Sequence, residues 1–466
     1  MENTCSVEPK AFINERQGSI IASGKSRANI HCADDSLAGS VSQRACVYCG
    51  ARVVLNPVTD AVHLVHGPIG CATYTWDIRG SLSSGSEMYR KSFSTDMKER
   101  DVIFGGERKL AVCIDEIVMK YHPPAIFVYS TCVAGMIGDD IVAVCKLASE
   151  KHGTEVIPVE STGFSSGNKI VGYRAAADAL LRLITPKDGV DVKKTKKLNF
   201  LGEYNLGGEK WLIEGYLQEM GVGINVAFTG DSSVAALKQA PGASLNLVQC
   251  TGSMHWLAMR LEEEFGIPSM SVNFFGAENT AESLRRIARF YDDEEIIRRT
   301  EILIEREMGR ILPGIRWYKE KLVGKRAAIY VGGAFKAVAI IRQLRELGME
   351  IVLTGTQTGK PEEYENLSNL LDEGTIIIDD ANPAEIEKFL IEQKVDVMAG
   401  GVKERVLATK LGVGFVDHNH DRKECLAGFD GAINFAREVY ITTCTPVWGH
   451  IRSPFNMEAA DGSHDE

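Results

Sequence analysis

From about residue 46 onward the chain alternates short apolar runs with longer amphipathic stretches. The runs AIFVYS (125–130), VIPVE (156–160), LNFLGEYN (198–205), INVAFTG (224–230), LNLVQC (245–250), RAAIYVGG (326–333), EIVLTG (350–355), TIIID (375–379) and VDVMAGG (395–401) are apolar at most positions. A strand with one wet face would alternate, so these predict strands of parallel sheets covered on both faces. Between them lie helical patterns. DDIVAVCKLASEKHG stops at Gly153 and KAVAIIRQLRELG at Gly348, each glycine marking a helix C-terminus. Strand–helix repetition predicts an α/β chain with parallel sheets and right-handed crossovers.

Two breaks divide the pattern. KDGVDVKKTKK (187–197) reads as a Lys-rich linker, and Asp292 to Gly324 as a long charged helix in which Pro313-Gly314 offers a break. The expected organisation is three Rossmann-like domains, at 46–190, 191–323 and 324–430. Residues 1–45, rich in Ser, Ala, Gly and charge, read as a flexible extension. A helix within 431–455 is expected to return to the first domain, and the acidic tail 456–466 to be disordered.

The 466 residues are 44% hydrophobic and 25% charged, which is ordinary globular composition. The formal net charge of −11 argues against a nucleic-acid or anionic-membrane surface. No apolar run approaches the ~20 residues that span a bilayer. The N-terminus MENTCSVEPKAF lacks an apolar signal core, so a cytoplasmic location is expected. In a reducing compartment the eleven scattered cysteines read as thiols, some of them metal ligands, rather than as disulfides.

The chemistry concentrates in CVYCGARVVLNPVTDAVHLVHGPIGC (46–71) and YSTCVAGMIGDD, which carry Cys46, Cys49, Cys71 and Cys132 beside glycine turns. Such a set suits a metal cluster; the alternative is that each thiol is a small buried hydrophobe. Cys5 and Cys32 read as bystanders. In open parallel sheets ligands bind at strand carboxyl ends. Cys250, Gly332, Gly333, Lys403 and His418 all fall there, in different α/β units that could face one cleft. A thiolate and an imidazole could pin an elongated iron–sulfur cluster, with lysines offsetting its charge. Against this, Cys250 could be a core residue and His418, in DHNHDRKE, a surface-loop histidine. GGAFK is not a dinucleotide fingerprint, and no G-x-x-x-x-G-K-[ST] loop is present.

HLVHGPIGC, STDMKERDVIFGGERKL, STCVAGMIGDD, GEYNLGGE, LNLVQCTGSM, FGIPSMSVNFFG, YVGGAFK, GGVKERV and GFDG together resemble the nitrogenase molybdenum–iron protein superfamily, from about Cys46 to Pro454. The resemblance implies a nitrogenase component 1-like fold. It implies that Cys46, Cys71 and Cys132 hold a 4Fe–4S cluster at a subunit interface, with the last ligand from a homologous N subunit in an α2β2-type heterotetramer. Cys49 forms a CxxC that the family does not require, and either thiol could ligate. Cys250 matches the thiolate at one end of the cofactor; His418 or Asn419 is the candidate for the other. Arg79 matches a cofactor-entrance arginine and Lys403 a lysine near the homocitrate end.

Two branches of the superfamily compete. In the catalytic α subunit, GFSSGNKIVGYR would supply a glutamine and a histidine where this chain has Lys169 and Arg174, and a Gly-Gly-Leu-Arg-Pro-Arg turn where it has GGAFK, with Phe335 in place of the first arginine. The wording HLVHGPIGC, WDIRGS and DHNHDRK is similar to the E-subunit branch of the scaffold for iron–molybdenum cofactor biosynthesis. That resemblance implies a scaffold with no catalytic residues. It would receive an iron–sulfur precursor from a donor protein and hold it while molybdenum and homocitrate are inserted with help from the nitrogenase iron protein. It would then pass the product to apo-nitrogenase. The alternatives are an α-like catalytic subunit, a dark-operative tetrapyrrole reductase component, which would lack the Cys250 thiol, and a metal-free small-molecule binder.

Overall fold

A computed structural model describes residues 17–23, 30, 45–75, 91–163, 169–186, 193–230, 232–418, 422 and 424–450. Arg79, Asn419, Cys5, Cys32 and the acidic tail lie outside the described residues. The strands are β1 (Ile20–Ala22), β2 (Val62–His66), β3 (Ser92–Ser94), β4 (Ala125–Ser130), β5 (Glu155–Val159), β6 (Leu198–Leu201), β7 (Ile224–Ala227), β8 (Leu245–Val248), β9 (Ser269–Ser271), β10 (Arg326–Val331), β11 (Glu350–Thr356), β12 (Ile376–Asp379), β13 (Val397–Gly400) and β14 (Gly414–Asp417).

They form three sheets, ordered β3-β2-β4-β5, β7-β6-β8-β9 and β1-β12-β11-β10-β13-β14. All pairings are parallel except β1 with β12. The expected strand cores are present. The central strands β4, β6, β8 and β13 are buried at every position, which is why they read as continuous apolar runs. Short or polar strands escaped the pattern: VHLVH in β2, SFS in β3 and SMS in β9.

Apart from the added edge strand β1, each sheet starts in its interior, grows one way, then resumes on the other side of its starting strand. The reversal falls between β2 and β4, between β6 and β8, and between β10 and β13. Side chains just past those strands flank a crevice. Thr131 and Cys132 follow β4; Gly202 follows β6 and Cys250 lies just past β8; Gly332-Gly333 follows β10 and Gly401 follows β13.

The chain divides into two compact units. One comprises Ala45–Phe274 and Glu282–Leu303; the other comprises Phe275–Ala281, the chain from Ile304 on, and the N-terminal segment with β1. The division expected near residue 190 separates two sheets but not two cores. Phe127, Tyr129 and Val159 of the first sheet share one apolar cluster with Leu201, Val226 and Val248 of the second.

Two further expectations are corrected. Within the extension 1–45, Ile20–Ala22 is not loose: it pairs antiparallel with Ile376–Ile378 and lengthens the third sheet. The charged stretch is one helix, Glu294–Leu322, continuous through Pro313. Buried Ile311 and Ile315 hold it on both sides of the proline. Gly314 lets the last long helix approach, since a Cβ there would lie 2.5 Å from Ile433 Cδ1. That helix, Gly428–Cys444, packs on β14, where the Thr442 hydroxyl accepts the Phe415 N–H at 2.9 Å. Its described contacts are with the third sheet, on which Phe429, Phe435, Ala436 and Val439 form a buried stripe.

Candidate cluster and cofactor site

At the first crevice, three segments bring the cysteines. Cys46 is the N-cap of helix Val47–Leu55, and its Sγ accepts the Cys49 N–H at 3.4 Å. Cys71 lies in helix Ile69–Thr75, which follows the Gly-Pro turn after β2. Cys132 opens helix Cys132–Ile137, and its Sγ accepts the Gly163 N–H at 3.3 Å.

The segments are cross-tied by residues of the motifs. Asp139 accepts His66 Nε2 at 2.9 Å and the Gly106 N–H at 3.0 Å. His66 Nδ1 lies 3.2 Å from the Thr95 hydroxyl, which also accepts the Gly67 N–H at 3.1 Å. Thr131 Oγ1 donates to the His66 carbonyl at 3.0 Å. Gly67 is a close-approach position, because a Cβ there would sit 2.0 Å from Thr131 Oγ1. HGPIGC, FGGERKL and STCVAGMIGDD are thus one interlocked assembly.

Cys71 reports the proximity of the set. Burial pushes its thiol up, and the Cys132 and Cys46 thiols push it further. Cys49 points elsewhere. It is buried against Val53, Tyr204 and Leu206, and it hydrogen-bonds Tyr74, whose hydroxyl is pushed up to about 12 by burial first and then by Cys49 and Cys46. Among the described residues no three His, Cys, Asp or Glu side chains converge on a single-ion site. A four-iron cluster asks for something else, since each thiolate takes its own iron. The donor set fits that group. Cys46, Cys71 and Cys132 are soft ligands on three cross-tied segments, two of them already accept N–H bonds, and a bound metal takes such groups as thiolates.

At the second crevice Cys250 is the N-cap of helix Thr251–Phe265 and is partly exposed. Gly202, at φ +83°, makes room for it: a Cβ there would lie 2.6 Å from the Cys250 nitrogen. A thiol at a helix N-terminus sits where backbone N–H groups favour negative charge. That helix packs on Lys169–Ile184, whose first residue is Lys169. Arg174 is exposed on the same helix, its guanidinium 5.4 Å from the Trp256 ring centre. Trp256 Nε1 in turn donates to Asp178 at 3.2 Å.

In the other unit, His418 follows β14. It is not a surface-loop histidine: it is fully buried, with its ring against Phe275 at 5.1 Å and Phe435 at 5.9 Å between centres. Its backbone is fixed, the N–H donating to the Gly400 carbonyl at 3.0 Å and the carbonyl accepting Lys336 Nζ at 3.2 Å and Arg422 Nη1 at 3.0 Å. Among the described residues, neither ring nitrogen has a hydrogen-bond partner. Burial, then Lys336 and Arg422, hold the imidazole well below its ordinary value, so it is neutral and its lone pair is available. Lys403 is exposed in the first turn of helix Val402–Lys410. Its neighbour Glu404 is buried and caps that helix by accepting the Gly401 N–H at 2.9 Å, so GGVKERV is a helix start with a buried acid.

Sequence reasoning missed several residues. Lys336 of GGAFK lies 5.7 Å from the Phe275 ring centre as well as holding the His418 carbonyl. His66 and Asp139 were visible only as letters in motifs. Arg52 had a signal: it is the one charged residue in the run CVYCGARVVL.

The family described as nitrogenase component 1 type oxidoreductase matches residues 46–444. The chain is 54% identical to the protein named nitrogenase iron-molybdenum cofactor biosynthesis protein NifE of Clostridium pasteurianum, over 94% of this chain and 97% of that one. It is also 54% identical to the protein of that name from Methanosarcina barkeri, over 90% and 93%. Among solved structures, nitrogenase Cp1 at pH 5 superposes with a TM-score of 0.85 and 33% identity, covering 97% of this chain and 98% of that one. With cysteines and glycine turns at the crevices of three parallel sheets and these relatives over nearly its whole length, the chain belongs to the nitrogenase component 1 family and, within it, to the NifE iron–molybdenum cofactor biosynthesis proteins.

Proposed function

We propose that the protein is a non-catalytic scaffold subunit that carries an iron–sulfur precursor of the iron–molybdenum cofactor while molybdenum and homocitrate are inserted. The observation that carries this reading is the contrast in identity: 54% to cofactor biosynthesis proteins against 33% to a solved nitrogenase of the same fold. The residues support it. Cys250 offers a thiol at a helix N-terminus, and His418 a neutral imidazole whose ring nitrogens have no hydrogen-bond partner among the described residues. Lys169, Arg174 and Lys403 add positive charge suited to an anionic cargo. Arg79 and Asn419, outside the described residues, keep the entrance and end-ligand roles that the family resemblance gives them.

Cys46, Cys71 and Cys132 would hold a resident four-iron cluster, which transfers electrons when bound. The partner N subunit would supply the remaining ligand and complete an α2β2-type heterotetramer. The apolar residues Ile103 and Phe104, 73% and 80% exposed, and Met136, 72% exposed, lie on two helices that pack together beside Cys132 and suit a covered interface. The iron protein, a precursor donor and apo-nitrogenase are the expected transient partners. The described helices include none long and apolar enough to cross a membrane, consistent with work in the cytoplasm.

The test is Cys250→Ala in the purified complex, assayed for iron and for activation of cofactor-free nitrogenase with molybdate, homocitrate, reductant and the iron protein. Loss of precursor iron and of activation, with the resident cluster signal intact, is expected. Unchanged activation would overturn the reading, and robust acetylene reduction by the unmodified complex would point to the catalytic branch.

A further inference from the structure

Beneath the three cysteine segments lies a charge without a counter-ion among the described residues. Arg52 is 1% exposed and is the largest fully buried side chain of the protein among the described residues. Its Nη2 donates to the Ser92 hydroxyl, and its guanidinium carbon lies 5.3 Å from the centre of the Tyr129 ring. Nε and Nη1 have no hydrogen-bond partner, and no carboxylate pairs with it among the described residues. A buried guanidinium held only by the Ser92 hydroxyl and by Tyr129, through its ring face and its hydroxyl, is costly unless a negative charge lies within range.

All three cysteine segments converge on this residue. Arg52 shares helix Val47–Leu55 with its N-cap Cys46, about 9 Å along the axis from the cap. Tyr129, under the guanidinium, is three residues before Cys132. The Tyr48 ring meets the Tyr129 ring edge-on at 5.8 Å, and its hydroxyl is 2.6 Å from Thr75 Oγ1, one helical turn after Cys71. The other polar neighbour, His63, lies 2.8 Å from the Tyr129 hydroxyl and brings no negative charge.

We infer that Arg52 is the buried counter-charge of the cluster bound by Cys46, Cys71 and Cys132, and that it raises the reduction potential of that cluster. The inference rests on the cluster assignment proposed above. A thiolate-ligated cluster is anionic and gains one more negative charge when it accepts an electron from an external donor, so a fixed cation favours the reduced form. Arg52 takes neither electron nor proton; it is a positioning charge.

The experiment is a redox titration of the purified complex with dithionite, followed by the paramagnetic signal of the resident cluster, for wild type, Arg52→Met and Arg52→Lys. With Met, the reduced-to-oxidised ratio at the wild-type midpoint falls by about tenfold, a shift of about 59 mV for one electron. Lys restores most of it, and iron content is kept. A Met variant that retains the cluster at the wild-type midpoint overturns the inference. A Lys variant whose midpoint departs from wild type as far as that of Arg52→Gln does likewise. Melting of cluster-free protein gives a second readout: without the cluster, Arg52→Met is expected to be at least as stable as wild type, and marked destabilisation there overturns the inference. If the unmodified complex has no cluster that depends on the three cysteines, the cluster assignment itself has failed, which the iron content of the cysteine variants shows separately.

Discussion

Two buried histidines at strand ends show how differently the fold treats the same side chain. His66 ends β2 and His418 follows β14; both have no exposed surface. Both ring nitrogens of His66 are engaged, one with Asp139 and one with Thr95, so its ring ties the cysteine turns together. Neither nitrogen of His418 is engaged among the described residues, and two aromatic rings pack against it. An unmade hydrogen bond in an apolar setting is destabilising, so such a group persists where something other than stability retains it. On the proposed function, the first region is a rigid holder and the second a poised ligand. A resident cluster asks for the former, and a cargo that must leave asks for the latter.

The largest expected effect breaks the rigid side outright. Cys71→Ala or Cys132→Ala in the complex should abolish the resident cluster signal, whereas Cys49→Ala, which removes a thiol turned toward Tyr74, should keep it. Iron analysis and the paramagnetic signal of the reduced protein decide; retention of the full signal in both of the first two variants would refute the assignment. Gly172→Ala comes next. A Cβ there would lie 1.9 Å from the Val47 carbonyl, and one at Gly50 would lie 2.1 Å from the Lys169 carbonyl, so the helices carrying Cys46 and Lys169 touch backbone to backbone. Main chain cannot swing aside, and a loss of about 1–3 kcal/mol or more is expected in denaturant melts. A change within ~0.5 kcal/mol, the usual range for an inconsequential substitution, would show that the two helices do not meet so closely.

That contrast was only half legible in the sequence. The buried strands announced themselves because burial on both faces leaves no polar alternation, and the cysteines because thiols beside Gly-Pro turns are chemically distinctive. His66 and Asp139 are 73 residues apart, so nothing local signals their bond. β2 and β3 hide because histidines and serines interrupt the apolar run. His418 sits in the polar string DHNHDRKE, which reads as a wet loop. Its burial comes from Phe275 and Phe435, which no local pattern links to it. Arg52 reads as an ordinary helix cation until the tertiary structure closes over it.

The middle-sized effects test the two histidines directly. Asp139→Asn weakens the bonds to His66 and Gly106, and removing such a partner in a buried site costs about 1–3 kcal/mol. Resident-cluster retention should fall with it. A variant equal to wild type in melting and in iron would mean that the cross-tie is dispensable. His418→Phe should do the opposite to stability. It removes two unpaired polar atoms from an aromatic setting, so the cluster-free protein is expected to gain up to about 1 kcal/mol, while precursor retention drops. Undiminished precursor iron in this variant would remove His418 as a ligand.

The smallest effect sharpens the poised side through its pH response. Glu438 lies on the helix that packs against β14, and its carboxyl is pushed up to about 7. Burial is the first cause, followed by the like charges of Asp417 and Glu424, with Arg422 and Arg437 pulling the other way. In the unfolded chain the same group titrates near 4.5. Between those values the native state keeps a proton that the unfolded state has released. Its contribution to stability is therefore fully present below about pH 4.5 and is lost as the pH rises through about 7. Glu438→Gln carries a fixed neutral side chain and should lose that part of the slope. The measurement is the melting midpoint of the two proteins across the window. The difference between them should grow as the pH rises, in favour of the glutamine variant. Parallel pH profiles would show that Glu438 is charged in the folded protein and that this strand end is better solvated than its burial implies.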